Sequence, residues 1–178
     1  MKKLLYLLPF ISLYCSAQKN PYQLKAELQR RLEADTTDWK YQLAAADYTF
    51  IGEYELALDA WHKAMPAKPK ISAADGLGFL QYKPVKAADY ILSRATRERV
   101  IIINEAHHQP MHRVFTESLL PQLYKLGYRY LAAETLNYGD TLLNQRKYPV
   151  QASGYYSVEP YYGNMLRTAL GIGYQLYA

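Results

Sequence analysis

Four consecutive β-branched residues at positions 100–103, Val-Ile-Ile-Ile, constrain the fold of this chain more than any other feature. A continuous apolar run of this kind is typical of a strand that is buried on both faces of a parallel sheet. An amphipathic helix is predicted over residues 112–126, with Pro121 expected to kink it, and Gly127 is a good C-terminal stop. Residues 128–133 are predicted to form a second strand. Strand, helix and strand in this order predict a parallel βαβ unit and an α/β fold.

The pattern continues beyond this unit. A helix is predicted over residues 87–97, a long polar and Tyr-rich stretch covers residues 137–160, and a further helix is predicted over residues 162–170. Residues 174–178 are predicted to begin a third strand, in the middle of which the sequence stops. A parallel sheet needs more strands to cover its core, so we expect residues 86–178 to be the N-terminal part of a larger α/β domain, and the chain to be a fragment.

The region before the α/β part is predicted to be helical. Helices are expected over residues 21–32, 36–51 and 53–65, and residues 66–85, which hold three prolines, are predicted to be a linker. The second and third of these helices resemble one tetratricopeptide repeat, through Tyr41, Ala45, Tyr48, Gly52, Tyr54, Ala57, Trp61, Ala64 and Pro69. A single repeat cannot bury its own face, so residues 18–65 are predicted to form a helical region that packs on its neighbours, with a peptide partner as the alternative.

The N-terminus is predicted to be a secretory signal peptide. Lys2 and Lys3 precede an apolar run over residues 4–14, and Ala17 provides a small residue for cleavage. Cleavage there would remove Cys15, the single cysteine, and would lower the formal net charge from +5 to +3. A balance this close to neutral gives no support to nucleic-acid binding. We therefore expect a periplasmic, cell-envelope or secreted protein with no transmembrane segment after cleavage, in which disulfides and thiol catalysis play no part.

Reactive side chains are concentrated directly after the first predicted strand. Three of the four histidines lie within residues 104–113, and the segment contributes Glu105, His107, His108 and His112. Glu134 follows the second predicted strand, and parallel strands end at one rim of a sheet, so Glu105 and Glu134 should meet there. We therefore predict a catalytic group of Glu105, His107, His108 and Glu134, since carboxylates and imidazoles can exchange protons with a substrate. Glu105, His107 and Glu134 could equally hold a divalent metal.

The same residues carry a family resemblance. Residues 100–136 resemble the opening βαβ unit of the erythromycin esterase and ChaN-like haem-binding superfamily, and residues 162–177 are similar to its next helix and strand. Glu105 with His107 matches the Gly-Glu-x-His motif of the ChaN-like branch, in which Asn104 stands in place of the glycine. Glu105 with His108 matches the Glu-x-x-His motif of the esterase branch, where the resemblance would make His108 the general base.

The resemblance implies two functions, and the sequence does not choose between them. One is an exported hydrolase that acts on an ester or lactone, in which a histidine activates water and the carboxylates orient it. The other is an envelope protein that captures haem or a metal ion without turnover, with His107, His112 and Tyr138 as haem ligands. A third possibility is a non-catalytic interaction protein that uses the helical repeat and the Tyr-rich loop.

Overall fold

A computed structural model describes residues 23–65 and 70–178, so the predicted signal peptide lies outside the described residues. This part of the chain has a helix-rich α/β arrangement with a two-stranded sheet. Its α-helices and strands are α1 (Lys25–Ala34), α2 (Lys40–Phe50), α3 (Tyr54–Ala64), α4 (Ala73–Leu80), α5 (Ala87–Ala95), α6 (Met111–Lys125), β1 (Tyr130–Ala132), α7 (Leu143–Arg146), α8 (Pro160–Ile172) and β2 (Gln175–Tyr177).

Helices α2 and α3 form a helical hairpin. Ala45 and Ala57 are completely buried where the two helices meet, because alanine side chains allow close approach of two backbones. Gly52 makes the turn between them with φ +78°, a conformation that costs glycine little. Leu28 of α1 packs into the same cluster. The hairpin therefore has its own small core, which α1 completes on one side.

The helical hairpin also shares a core with the α/β part. The ring of Phe50 lies 5.5 Å from that of Tyr155 and 5.9 Å from that of Tyr156, measured between centroids. At the far end of the hairpin, Trp61 stacks on His108 with centroids 4.1 Å apart. Aromatic contacts of this kind stabilise a junction beyond simple area burial. The hairpin thus contacts two segments of the α/β part, one that contains Tyr155 and Tyr156 and one that contains His108.

The larger core is built around α8. Tyr162, Leu166 and Ala169 are completely buried on the side of α8 that packs against α6 and the sheet. Helix α6 continues through Pro121 as one element. The chain enters α8 at Pro160, where proline is well tolerated because the first helical N–H has no partner within the helix. Helix α8 therefore organises the part of the molecule that follows residue 86.

The two strands pair in parallel, with Leu131 opposite Leu176 in the register. These two leucines face the core, whereas Tyr130 and Tyr177 lie on the exposed face, with ring centroids 5.6 Å apart. The parallel unit observed is therefore β1, α8 and β2, since α8 lies between the paired strands in the sequence. One face of the sheet is covered by helices, and the other is open to solvent.

The prediction of a strand at residues 100–103 is wrong. No backbone hydrogen bond of residues 100–104 is found within the described part of the chain, so the segment joins no sheet. Ile101 and Ile103 pack on the cluster around Leu119, whereas Val100 and Ile102 are exposed. A cavity of about 850 Å³ separates the segment from β1. The apolar run is therefore half-buried on one face and exposed on the other, because β2 is the sole strand that pairs with β1 in the described residues.

Two predicted irregular segments contain helices. The linker predicted over residues 66–85 holds α4, whose first turn is capped by the Ser72 side chain accepting from the Asp75 N–H. The predicted loop at residues 137–160 holds α7, and Asp140 and Arg146 pair at 2.7 Å across it. This loop ends in short 3-10 turns that place Tyr155 and Tyr156.

In the two described ranges, none of the helices combines the length and the apolar character that crossing a bilayer would require.

Candidate functional site

An exposed dyad of His107 and Glu134 lies beyond the ends of residues 100–104 and of strand β1, which line a common cavity. The imidazole Nε2 lies 3.0 Å from Glu134 Oε2, and the side chains remain 43% and 61% exposed. A carboxylate oxygen only accepts hydrogen bonds, so a neutral His107 donates through Nε2 and keeps the lone pair on Nδ1. Nδ1 has no hydrogen-bond partner among the described residues. The dyad therefore offers a free proton acceptor to solvent.

The backbone of Glu134 is held tightly beneath its exposed side chain. The Tyr162 hydroxyl donates to the Glu134 carbonyl at 2.5 Å. The next residue, Thr135, has φ +66°, a left-handed conformation that is costly for a β-branched side chain. Gly154 packs so closely here that a Cβ atom on it would lie 2.2 Å from the Thr135 carbonyl oxygen. The strain fixes the direction in which Glu134 leaves β1.

A buried arginine cluster of Arg113, Glu105 and Glu159 lies behind the dyad. Arg113 Nε donates to Glu105 at 2.6 Å, and Nη1 donates to Glu159 at 2.8 Å. The side chains of Arg113 and Glu159 are 1% and 0% exposed. Removing charges from water is costly, and this pairing with hydrogen bonds offsets the cost. Arg113 Nη2 is left as a buried donor without a partner in the described residues.

Glu159 also begins helix α8. Its carboxylate accepts hydrogen bonds from the backbone N–H groups of Tyr161 and Tyr162, which have no partner within the helix. Negative charge is favourable at this end of a helix because of the peptide dipoles. One carboxylate thus joins the buried arginine cluster to the first turn of α8.

Tyr156 connects the buried arginine cluster to the exposed dyad. The guanidinium carbon of Arg113 lies 4.5 Å from the centre of the Tyr156 ring, and the His107 ring centroid lies 5.1 Å from it. Burial raises the pKa of the Tyr156 and Tyr162 hydroxyls, so both stay protonated at neutral pH. Because Arg113 is fixed by two carboxylates, it fixes Tyr156, which in turn supports the imidazole of His107.

Cavities open on the two sides of the dyad. Glu134 and Glu105 line one cavity of about 470 Å³, whose other walls include Ile103, Leu131 and Met165. His107 lines a second cavity of about 340 Å³, together with Trp61 and Tyr155. The walls of the first cavity combine apolar side chains with polar ones such as Asn104 and Thr116, a combination that can both hold and orient a small molecule. A ligand in either cavity would lie against one member of the dyad.

His108 lies beside the dyad but is turned away from solvent. Its ring stacks on Trp61, it is buried, and its Nδ1 has no partner in the part of the chain that the structure describes. Burial lowers the pKa of His108, and the neighbouring His112, His62 and His107 lower it further. His108 therefore packs the hairpin against the α/β part and does not share the exposed position of His107.

The three predicted haem ligands lie in different surroundings. His112 Nδ1 accepts a hydrogen bond from the Ala106 N–H at 3.0 Å, so it stabilises the turn that carries His107. Tyr138 is 84% exposed in the loop after β1 and is absent from the walls of either cavity beside the dyad. Of the three predicted ligands, His107 alone lies in the candidate site as described.

The predicted metal group of Glu105, His107 and Glu134 is not formed. Within residues 23–65 and 70–178, no three His, Cys, Asp or Glu side chains are placed so that they could hold an ion. The physical reason is Arg113, whose Nε donates to Glu105 at 2.6 Å and holds that carboxylate in an ion pair. Glu105 is thus a supporting residue of the site.

Three residues of the site were not among the residues predicted for it: Arg113, Glu159 and Tyr162. The sequence does carry a signal for two of them. Arg113 lies seven positions before buried Leu120, on the same side of α6, and Glu159 directly precedes a proline that can begin a helix. Tyr162 carries no such signal, because it is one of 19 tyrosines in the chain.

Comparison of the chain with protein-family models, with curated proteins and with solved structures finds no significant match in any of the three. The esterase and ChaN-like resemblance therefore remains a prediction that rests on its motif residues.

Proposed function

We propose that this protein is an exported hydrolase that cleaves an ester or lactone, with His107 as the base that activates water. The observation that carries the proposal is the exposed dyad, in which Glu134 binds Nε2 and leaves Nδ1 free. A carboxylate in this position selects one tautomer of the imidazole and stabilises its protonated form. His108 is a weaker candidate for the base because its ring is buried against Trp61.

The reaction follows from the dyad. Water gives a proton to His107 Nδ1 as its oxygen attacks the carbonyl carbon, and the carbonyl π electrons move to the oxygen. The tetrahedral intermediate then expels the alkoxide, which takes the proton back from Nδ1. The products are a carboxylic acid and an alcohol, or one hydroxy acid from a lactone, and His107 is neutral again. Glu134 keeps its hydrogen bond to Nε2 throughout.

The remaining side chains of the site position the base and the substrate. The buried arginine cluster holds Tyr156, and Tyr156 supports the His107 ring, so Glu105 contributes without touching the substrate. The cavity of about 470 Å³ beside Glu134 has apolar side chains such as Leu131 and Met165 on its walls, which suit the hydrocarbon part of an ester, and carboxylates that disfavour an anionic one. These features favour an ester with an apolar acyl or alcohol group over a highly charged one.

The test is hydrolysis of a panel of aliphatic and aryl esters and lactones by the full chain. We expect His107→Gln to lower kcat at least about 100-fold, the range seen on removal of a general base. His62→Gln is the matched control, because His62 is an exposed histidine of α3 that should leave the rate unchanged. A folded wild-type protein without activity, or equal rates in the two variants, would contradict the proposal.

A haem titration of the wild-type protein and its variants distinguishes a hydrolase from a protein that captures haem. A Soret shift that His107→Gln abolishes, in the absence of turnover, would support haem capture instead. Unchanged absorption in the wild-type protein, with ester turnover, would support the hydrolase.

A further inference from the structure

A basic apolar surface over residues 70–86 lies outside the candidate site. Helix α4 at its centre buries none of its residues against the rest of the described chain. The large apolar side chains on this surface are all strongly exposed: Ile71, Leu77, Phe79, Leu80, Tyr82 and Val85. A Cβ atom on Gly76 or Gly78 would meet nothing within 4 Å, so no other segment described by the structure covers the helix there. Contiguous exposed apolar patches of this kind mark interaction sites.

The helix itself implies a partner. An isolated helix of 8 residues that contains Gly76 and Gly78 is unstable in water, because nucleation is costly and each glycine lowers helix propensity. Its first turn is capped by Ser72 and Asp75, which sets where the helix begins without contributing a buried face. Burial of the exposed apolar side chains by a partner would supply the missing stabilisation.

The charges around α4 indicate which partner. Lys70, Lys83 and Lys86 flank the apolar side chains, and none of them forms an ion pair in the described part of the chain. Asp75 is the single acidic residue within residues 70–86, and it is engaged with Ser72. A second copy of the same surface would bring lysines against lysines. A partner with an anionic surface and an apolar interior complements both the positive charge of the lysines and the exposed apolar side chains.

We propose that residues 70–86 bind the surface of an anionic lipid bilayer, with α4 lying in the plane of the headgroups. A helix of 8 residues is too short to span a bilayer, but it can bury Leu77, Phe79 and Leu80 at the boundary of the acyl chains. The lysines on either side then contact lipid phosphates. The surface attaches the protein to a membrane and does not depend on the proposed hydrolytic activity.

The experiment is co-sedimentation of the full chain with vesicles of phosphatidylglycerol and phosphatidylcholine in equal parts, or of phosphatidylcholine alone. We expect binding to the anionic vesicles that weakens as salt is raised. Lys83→Gln with Lys86→Gln should weaken binding about thirty-fold. Its matched control is Lys125→Gln with Lys147→Gln, which removes two exposed lysines elsewhere and should bind within about twofold of the wild type.

A second pair of variants tests the apolar side chains. Phe79→Ser with Leu80→Ser should weaken binding at least about tenfold. Leu24→Ser with Tyr138→Ser removes a leucine and an aromatic residue of similar exposure outside the surface, and should bind like the wild type. The N-terminal segment is common to all proteins compared, so it cannot account for a difference between them.

Three outcomes would overturn the proposal. One is the absence of binding to anionic vesicles by the wild-type protein. Another is equal binding by the test and control variants, which would assign the affinity to another part of the chain. The last is a concentration-dependent dimer in light scattering that Phe79→Ser with Leu80→Ser abolishes while vesicle binding is absent, since the occupant would then be a second copy.

Discussion

The buried arginine cluster and the exposed dyad lie around one tyrosine ring and each includes a carboxylate from a strand or loop end. Glu105 and Glu159 pair with Arg113, whose side chain is buried together with that of Glu159, whereas Glu134 and His107 remain half exposed. Removing one partner of a buried ion pair strongly destabilises a protein, whereas an exposed ion pair contributes little to its stability. Burial therefore decides which carboxylates maintain the fold and which are available for chemistry.

Arg113→Met gives the sharpest test of this comparison. The variant leaves Glu105 and Glu159 beside a side chain that cannot donate to them, so the free energy of unfolding should fall by about 3–5 kcal/mol. Urea denaturation followed by circular dichroism measures the change. Arg94→Met is the control, because it removes an exposed helical pair with Glu98 and should change stability by less than about 0.5 kcal/mol. A loss below about 1 kcal/mol in Arg113→Met would show that the cluster is not stabilising.

Glu105→Gln and Glu134→Gln should give opposite results. Glu105→Gln weakens a charge-assisted bond to buried Arg113 and should lower the free energy of unfolding by about 1–3 kcal/mol. Glu134→Gln should leave it within about 0.5 kcal/mol, because the dyad is exposed. For ester hydrolysis the order reverses: Glu134→Gln should lower kcat between about 10² and 10⁴-fold through loss of the orienting carboxylate. Urea denaturation and ester-hydrolysis kinetics of both variants measure the two effects. A larger loss of stability in Glu134→Gln, or a larger loss of kcat in Glu105→Gln, would contradict the comparison.

The smallest expected effect concerns the buried His108. The pKa of His108 is lowered in the folded protein, so below its unfolded value of 6.5 the unfolded chain binds the proton more readily. Stability linked to His108 is therefore present above pH 6.5 and is lost as pH falls through the folded pKa. Denaturation at pH 7.5 and 5.5 should show this decrease in the wild type and a smaller one in His108→Gln. An unchanged decrease in the variant would contradict the buried position of His108.

Much of the helical structure follows from the sequence alone. The apolar spacing and the end signals, such as Gly52 and Gly127, predict helices close to α2, α3, α6 and α8. These signals are local, because a helix satisfies its own hydrogen bonds. Helix α4 was missed since its residues have no apolar periodicity against a partner in the chain.

Strand pairing could not be predicted in the same way. Residues 100–103 have the composition of a buried strand, but a strand exists only where a neighbour completes its hydrogen bonds. In the described residues β1 pairs with β2, and a cavity lies between β1 and residues 100–103. Which segment pairs with β1 depends on how α6 and α8 pack. The sequence of one segment alone does not encode that packing.

For the site, the sequence by itself determined which residue types would meet. Glu105, His107 and Glu134 follow the two apolar segments that were predicted to end at one rim, and two of these residues do form the dyad. Only the tertiary structure decided that Glu105 belongs to Arg113, that His108 packs on Trp61, and that Tyr156 lies between the two groups. The physical reason is that periodicity and chain-end signals act over neighbouring residues, whereas the partner of a charged side chain is selected by burial and by distances between distant parts of the chain.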